Sequence, residues 1–91
     1  MPAYVYMLCC GDGSFYTGWT NDVARRLAAH KSGRGAKYTR GRGPLELVYV
    51  EETPDKKSAL RRELQLKNFS HVEKLRLVED WRQKQDTANA K

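Results

Sequence analysis

The stretch YVYMLCCGDGSFYTG, Tyr4 to Gly18, decides the fold of this chain. Tyr4 to Cys10 are apolar and rich in aromatic and branched side chains, and they run into Gly11-Asp12-Gly13, the pattern of a strand entering a tight turn. Ser14 to Gly18 then returns as the antiparallel partner. A two-residue turn on Asp12-Gly13 would send Tyr6 and Tyr16 to opposite faces, because side chains alternate with period two. A three-residue loop, with Gly13 left-handed in a bulge, pairs Cys10 with Ser14 and puts both tyrosines on one face.

Working outward, residues 21–31 (NDVARRLAAHK) have helical spacing. Thr20 or Asn21 can cap this helix, Asp22 suits its first turn, and Val23 with Leu27 forms its apolar stripe. Arg26 and His30, four apart, lie along one side of the stripe, whereas Arg25 points to solvent. Residues 31–44 are glycine-rich and basic and read as a loop with room for one short turn. Residues 45–52 (LELVYVEE) read as a third strand. Thr53 as cap and Pro54 at the first helical position open a helix to about Asn68, with Ala59, Leu60, Leu64 and Leu66 as its apolar positions. Ser70 and Glu73 have capping-box spacing and open a last helix through Leu75, Val78 and Trp81. The order predicts an α+β domain over residues 1–84, a small three-stranded antiparallel sheet with helices packed against it. Residues 85–91 have nothing to bury and are expected to form a flexible tail.

Composition narrows the function classes. At 91 residues there is room for one core, and 31% charged with 40% hydrophobic residues is the balance of a soluble globular domain. The longest apolar run is far short of a bilayer span, and the N-terminus lacks a secretory pattern, so a cytoplasmic location without membrane contact is expected. Cys9 and Cys10 are sequence neighbours without a second cluster of ligands, which disfavours both a disulfide and a structural metal. Seventeen basic against eleven acidic residues give +6, a field that favours a polyanionic partner.

Glu63 is the sharpest local signal. Helical geometry places it in angle between Ala59 and Leu60, within or against the apolar stripe, where a carboxylate is seldom found unless paired or used. Lys67, four residues on, offers a surface pair as the plain explanation. Tyr6, Tyr16, Arg26 and His30 each have an equally plain reading, as core aromatics or solvated flank residues. Together, however, Tyr4-Val5-Tyr6, Tyr16-Thr17-Gly18, the segment RRLAAH (Arg25 to His30) and a helix bearing Glu63 resemble the GIY-YIG nuclease domain. CGDGSFYTG with GAKYTRGRGP is similar to its small single-domain bacterial branch, the UPF0213-like proteins. The resemblance spans about Tyr4 to Leu77. Tyr4 replaces the glycine of the first motif, Thr17 replaces the isoleucine of the second, and the role of a supporting asparagine beyond the glutamate is empty or taken by Lys67.

The resemblance implies a metal-dependent endonuclease acting on DNA with little sequence preference, in repair or recombination, with Tyr6, Tyr16, Arg26, His30 and Glu63 catalytic and Gly18 a structural motif residue. Glu63 would bind one Mg²⁺ or Mn²⁺, which keeps most of its waters. Tyr6 would accept the proton of the attacking water, which requires its pKa to fall from about 10; Arg26, His30 if protonated, and the metal would push it down. Lys31, Arg34, Lys37, Arg40 and Arg42 read as a flexible cationic arm, with Lys67 as a further nucleic-acid contact and Tyr38 able to stack on an unpaired base. The partner is then DNA, branched or single-stranded, with RNA as an option. The competing readings are a non-catalytic nucleic-acid-binding module built on residues 31–44 and a protein-interaction domain whose basic arm meets an acidic partner.

Overall fold

The computed structural model describes residues 1–89. Strands β1 (Ala3–Cys9), β2 (Phe15–Thr20) and β3 (Glu46–Thr53) form one antiparallel sheet in the order β2-β1-β3, with the N-terminal strand at its centre. Helices α1 (Val23–Lys31), α2 (Lys56–Lys67) and α3 (His71–Asn89) complete the expected α+β architecture, and a 3-10 turn, Lys37–Thr39, interrupts the basic loop.

The hairpin uses the three-residue loop. Gly13 has φ +85°, the Gly13 N–H donates to the Cys10 carbonyl at 2.9 Å, and the Cys10 N–H donates to the Ser14 carbonyl at 2.8 Å. Asp12 braces the turn by accepting from the Ser14 amide at 3.0 Å and the Ser14 hydroxyl at 2.6 Å. Tyr6 therefore pairs with Gly18 and Leu8 with Tyr16, which places Tyr6 and Tyr16 on the same face.

β1 is buried on both faces, which explains why YVYMLCC lacks polar alternation. Ala3, Val5 and Met7 pack with Ala59 and Leu66 of α2 and Val78 of α3. Tyr6 and Leu8 are buried on the opposite side. On the β3 side Met7 pairs with Tyr49 and Leu8 with Leu47, so Val48 is the extra residue of a bulge and is itself fully buried.

Several expectations change. Asp22 caps α1 in place of Thr20 or Asn21, accepting from the Arg25 amide at 3.1 Å. Thr53 is the last residue of β3, its hydroxyl donating to the Ala3 carbonyl at 2.9 Å, and Asp55 caps α2, accepting from the Ser58 amide at 2.8 Å. A carboxylate two residues later thus displaces the Thr-Pro start. On α2 the buried positions are Ala59 and Leu66, whereas Leu60 and Leu64 are 40% and 64% exposed. Ala59, Glu63 and Leu66 follow one stripe, so Glu63 stands on the covered side as its angle suggested, and the two leucines do not. Leu75 is also exposed, while Val78 is buried and Trp81 half-buried. The Ser70–Glu73 capping box forms reciprocally, at 2.9 Å and 3.2 Å. Helix α3 continues to Asn89 through most of the segment expected to be a tail; residues 90 and 91 lie outside the described residues.

Leu66→Ala is expected to destabilise the domain by about 2–5 kcal/mol. Leu64→Ala should change stability by no more than about 0.5 kcal/mol. Urea unfolding of the two variants measures the contrast, and equal losses would place α2 in a different rotation.

Candidate active site

Three of the proposed functional rings meet over the face of β1 and β2. The Tyr6 hydroxyl is 2.7 Å from Nε2 of His30, the Tyr6 and Tyr16 ring centroids are 6.3 Å apart, and those of Tyr16 and His30 are 5.2 Å apart. Tyr6 comes from the central strand, Tyr16 from the edge strand across the hairpin, and His30 from the last turn of α1. Two glycines permit this packing. A Cβ on Gly18 would lie 2.7 Å from the Tyr6 hydroxyl oxygen, and a Cβ on Gly35 would collide with Nδ1 of His30. Gly18 thus clears space for the phenol and Gly35 for the imidazole.

Burial controls the protonation of this cluster. The Tyr6 phenol is pushed up to about 12, chiefly by desolvation, against a partial downward pull from the hydrogen bond that Nε of Arg26 donates at 3.4 Å. His30 is 2% exposed, and its pKa is lowered first by burial and then by the Arg26 charge. The direction at Tyr6 opposes the sequence-based expectation of a lowered phenol, and the direction at His30 removes the condition under which the imidazole would have helped to lower it. In the free protein both groups are neutral at pH 7.

A residue that sequence reasoning missed fixes the orientation of His30. The Thr39 hydroxyl, 2% exposed, donates to the Ala36 carbonyl at 2.9 Å and stands 2.9 Å from Nδ1 of His30. With its one proton committed, Thr39 Oγ1 accepts from Nδ1–H, which leaves Nε2 as the acceptor of the Tyr6 proton. The Ala36 amide approaches the same Nδ1 at 3.4 Å, too long to compete with two bonds of 2.9 Å. The chain Tyr6, His30, Thr39, Ala36 is head to tail. Thr39 carries no periodic signal in the sequence; it stands among cations in a loop, and only the 3-10 turn folds it beneath His30.

Arg26 is half-buried, donates to Tyr6 and lies close enough to Tyr16 for that phenol to reinforce its charge. Glu63 approaches from α2. Its side chain is 16% exposed, it pairs with Lys67 at 3.6 Å, and its charge is felt at the Tyr6 phenol, although no hydrogen bond joins it to the four other groups among the described residues. Among those residues no group of three or more His, Cys, Asp or Glu side chains is assembled that could hold a metal.

The basic loop is less free than the sequence suggested. Thr39 is buried, the Gly11 amide donates to the Arg42 carbonyl at 2.6 Å, and Nη1 of Arg42 pairs with Asp12 at 2.6 Å, tying the loop to the hairpin tip. Arg42 also lies 4.3 Å over the Tyr38 ring, which stacks on Tyr16 with centroids 5.9 Å apart. The Tyr38 ring therefore already has two partners, and a base stacking on it would compete with them. Arg34 donates to the Ser32 hydroxyl at 3.1 Å, and Lys31, Lys37 and Arg40 are exposed.

Because the folded state holds His30 with a lowered pKa, its contribution to stability is complete above the unfolded value near 6.5 and is lost as pH falls below it. Urea unfolding should thus show a loss of up to about 1 kcal/mol between pH 6.5 and 5.5, before most carboxylates titrate, and His30→Gln should remove that slope. Thr39→Val should shift His30 toward a mixture of tautomers in ¹⁵N spectra of the imidazole; an unchanged tautomer ratio would refute the role of Thr39.

Comparison with known proteins identifies the family of the chain. The family model described as the GIY-YIG catalytic domain matches residues 2–75. A UPF0213 protein of Natronomonas pharaonis is 52% identical over 77 residues, covering 85% of this chain and 91% of the relative. Another, from Halalkalibacterium halodurans, is 54% identical over 78 residues, covering 86% and 83%. The solution NMR structure of a UPF0213 protein from Bacillus halodurans shares 53% identity over 87% of this chain and 84% of that one, with a TM-score of 0.56. A solution NMR structure from E. faecalis shares 34% identity over 90% and 88%, with a TM-score of 0.61. A family match across most of the length, joined to relatives half identical over nearly all of theirs, makes this chain a member of the GIY-YIG domain family, similar throughout to its UPF0213 proteins.

Proposed function

We propose that the protein is a metal-dependent endonuclease that hydrolyses phosphodiester bonds in DNA with little sequence preference, on substrates of the kind met in repair or recombination. The observation that carries this reading is the meeting of Tyr6, Tyr16, Arg26 and His30 on one face, within the field of Glu63. GIY-YIG domains form a family of endonucleases, which supports the same chemistry.

The donor set fits Mg²⁺ or Mn²⁺. Glu63 supplies one hard oxygen ligand group on a mostly covered side chain, suited to an ion that keeps its waters and takes further oxygens from a phosphate. Such an ion, when bound, stabilises charge on the phosphate and on the leaving oxygen. Lys67 occupies Glu63 in the free protein and would give way to it.

The remaining steps belong to the chain. Tyr6 takes the proton of the attacking water while its own hydroxyl proton passes to Nε2 of His30, 2.7 Å away and kept neutral by burial. This relay avoids a free phenolate, which a group pushed up to about 12 would not sustain at neutral pH. Arg26 faces the Tyr6 oxygen and stabilises negative charge there and on the scissile phosphate; Tyr16 beside it can donate to a phosphate oxygen. Exposed Lys31, Lys37 and Arg40 add backbone attraction without reading bases, so binding should weaken steeply with salt.

Nicking of plasmid and branched DNA in Mg²⁺ at low salt tests the proposal. Arg26→Ala and Glu63→Ala are expected to lower the rate by about 100-fold or more, and activity should decline on acidification once His30, its pKa lowered by burial, gains a proton. Wild-type rates in both variants would overturn it. Salt-sensitive binding with no Mg²⁺-dependent product would instead identify a non-catalytic nucleic-acid-binding module.

A further inference from the structure

Beside the ring cluster, along the edge strand β2, runs a groove of about 410 Å³ lined by Phe15, Tyr16, Thr17, Tyr38, Lys67 and Lys74. Neither Thr17 nor Lys74 has a part in the chemistry above. Lys67 comes from the end of α2 and Lys74 from the first turns of α3, so the α2–α3 corner brings two ammonium groups to one opening. Lys67 has Glu63 as a counter-charge, at 3.6 Å; Lys74 has no carboxylate partner among the described residues. Lys74 is half-buried, and its pKa is lowered by burial and then by the Lys67 charge. Two cations drawn together at a partly desolvated position are unfavourable without an anion between or beside them. Thr17, 3% exposed, carries the one buried side-chain polar atom without a hydrogen-bond partner among the described residues.

We infer that this groove is a second phosphate subsite, in which Lys74 with Lys67 holds the backbone of an unpaired strand one step away from the bond presented to Tyr6 and Tyr16. The inference rests on the nuclease reading for its direction, since Tyr16 borders both the ring cluster and the groove. The ligand is a phosphodiester, because two ammonium groups supply point charges and no planar recognition of a base edge. The strand is unpaired, because the other walls are the aromatic rings of Phe15, Tyr16 and Tyr38, and only a base free of a duplex stack can compete for them with the His71 ring on Phe15 and the Arg42 guanidinium on Tyr38. The contribution of the cationic loop is thereby shared with the α2–α3 corner, where the ammonium of Lys74 is unclaimed.

Fluorescence anisotropy with a labelled 12-nucleotide oligothymidylate in EDTA tests the subsite apart from catalysis. Lys74→Ala should weaken binding three- to tenfold at 25 mM salt and reduce the slope of log K against log salt by about 0.7, the value for one phosphate contact on a single strand. Lys74→Arg should restore most of the affinity. Lys84→Ala, which removes an exposed charge paired with Asp80 beside β3 at the opposite sheet edge, should leave both quantities near wild type. A duplex of the same length should show a smaller Lys74 effect. Equal losses for Lys74→Ala and Lys84→Ala, or an equal Lys74 effect on duplex, would overturn the subsite even if the wild type cleaves DNA. A selective Lys74 effect in a protein without cleavage would uphold the subsite and leave the nuclease proposal to fall alone.

Discussion

The hydrogen bond between the Tyr6 hydroxyl and Nε2 of His30 is the joint on which the functional face depends. It ties the central strand to the last turn of α1, and through Nδ1 and Thr39 it reaches the 3-10 turn of the basic loop. Sheet, helix and loop are thereby held by one buried polar chain. A buried polar group is costly unless satisfied, so the same bond that positions the imidazole also explains why the loop folds back over it.

That arrangement changes how the phenol can act. A tyrosine flanked by an arginine suggests an easily formed phenolate, yet desolvation outweighs the arginine and holds the hydroxyl protonated. In the proposed mechanism, proton transfer is therefore concerted with a neighbour, and His30 stands 2.7 Å away. In that mechanism the histidine serves as a neutral acceptor, not as a positive charge. Histidines beside general bases are often read from their charge alone; here burial decides the role.

Much of the architecture was legible because it is written in local chemistry. Gly11-Asp12-Gly13 between two apolar runs implied a hairpin but left open whether its loop had two or three residues, the choice that decides the shared face of Tyr6 and Tyr16, whereas Ser70 with Glu73 implied the start of α3. The α2 stripe was read only in part, since Leu60 and Leu64 follow helical spacing yet face solvent, and hydrophobicity without a known packing partner does not choose the rotation. Glu63 was visible as a carboxylate on the covered side. Thr39 and Lys74 were not: one acquires its role from a loop closing over nine residues of separation, the other from a corner between two helices, and neither relation has a period in sequence. The cationic loop was overestimated in its freedom because composition reports charge and not the Arg42–Asp12 and Thr39 ties that anchor it.

Gly18 and Gly35 contribute to the face by atoms they do not possess. Each marks a spot where backbone lies directly against a ring of the candidate site, one under the phenol and one on the imidazole, and at Gly35 a single methyl would also meet the backbone of His30. Scoring substitutions by chemical resemblance would treat alanine at these two positions as mild. Steric vacancy is as much a part of the inheritance of this surface as its phenols and guanidinium, and it tolerates no gradual replacement.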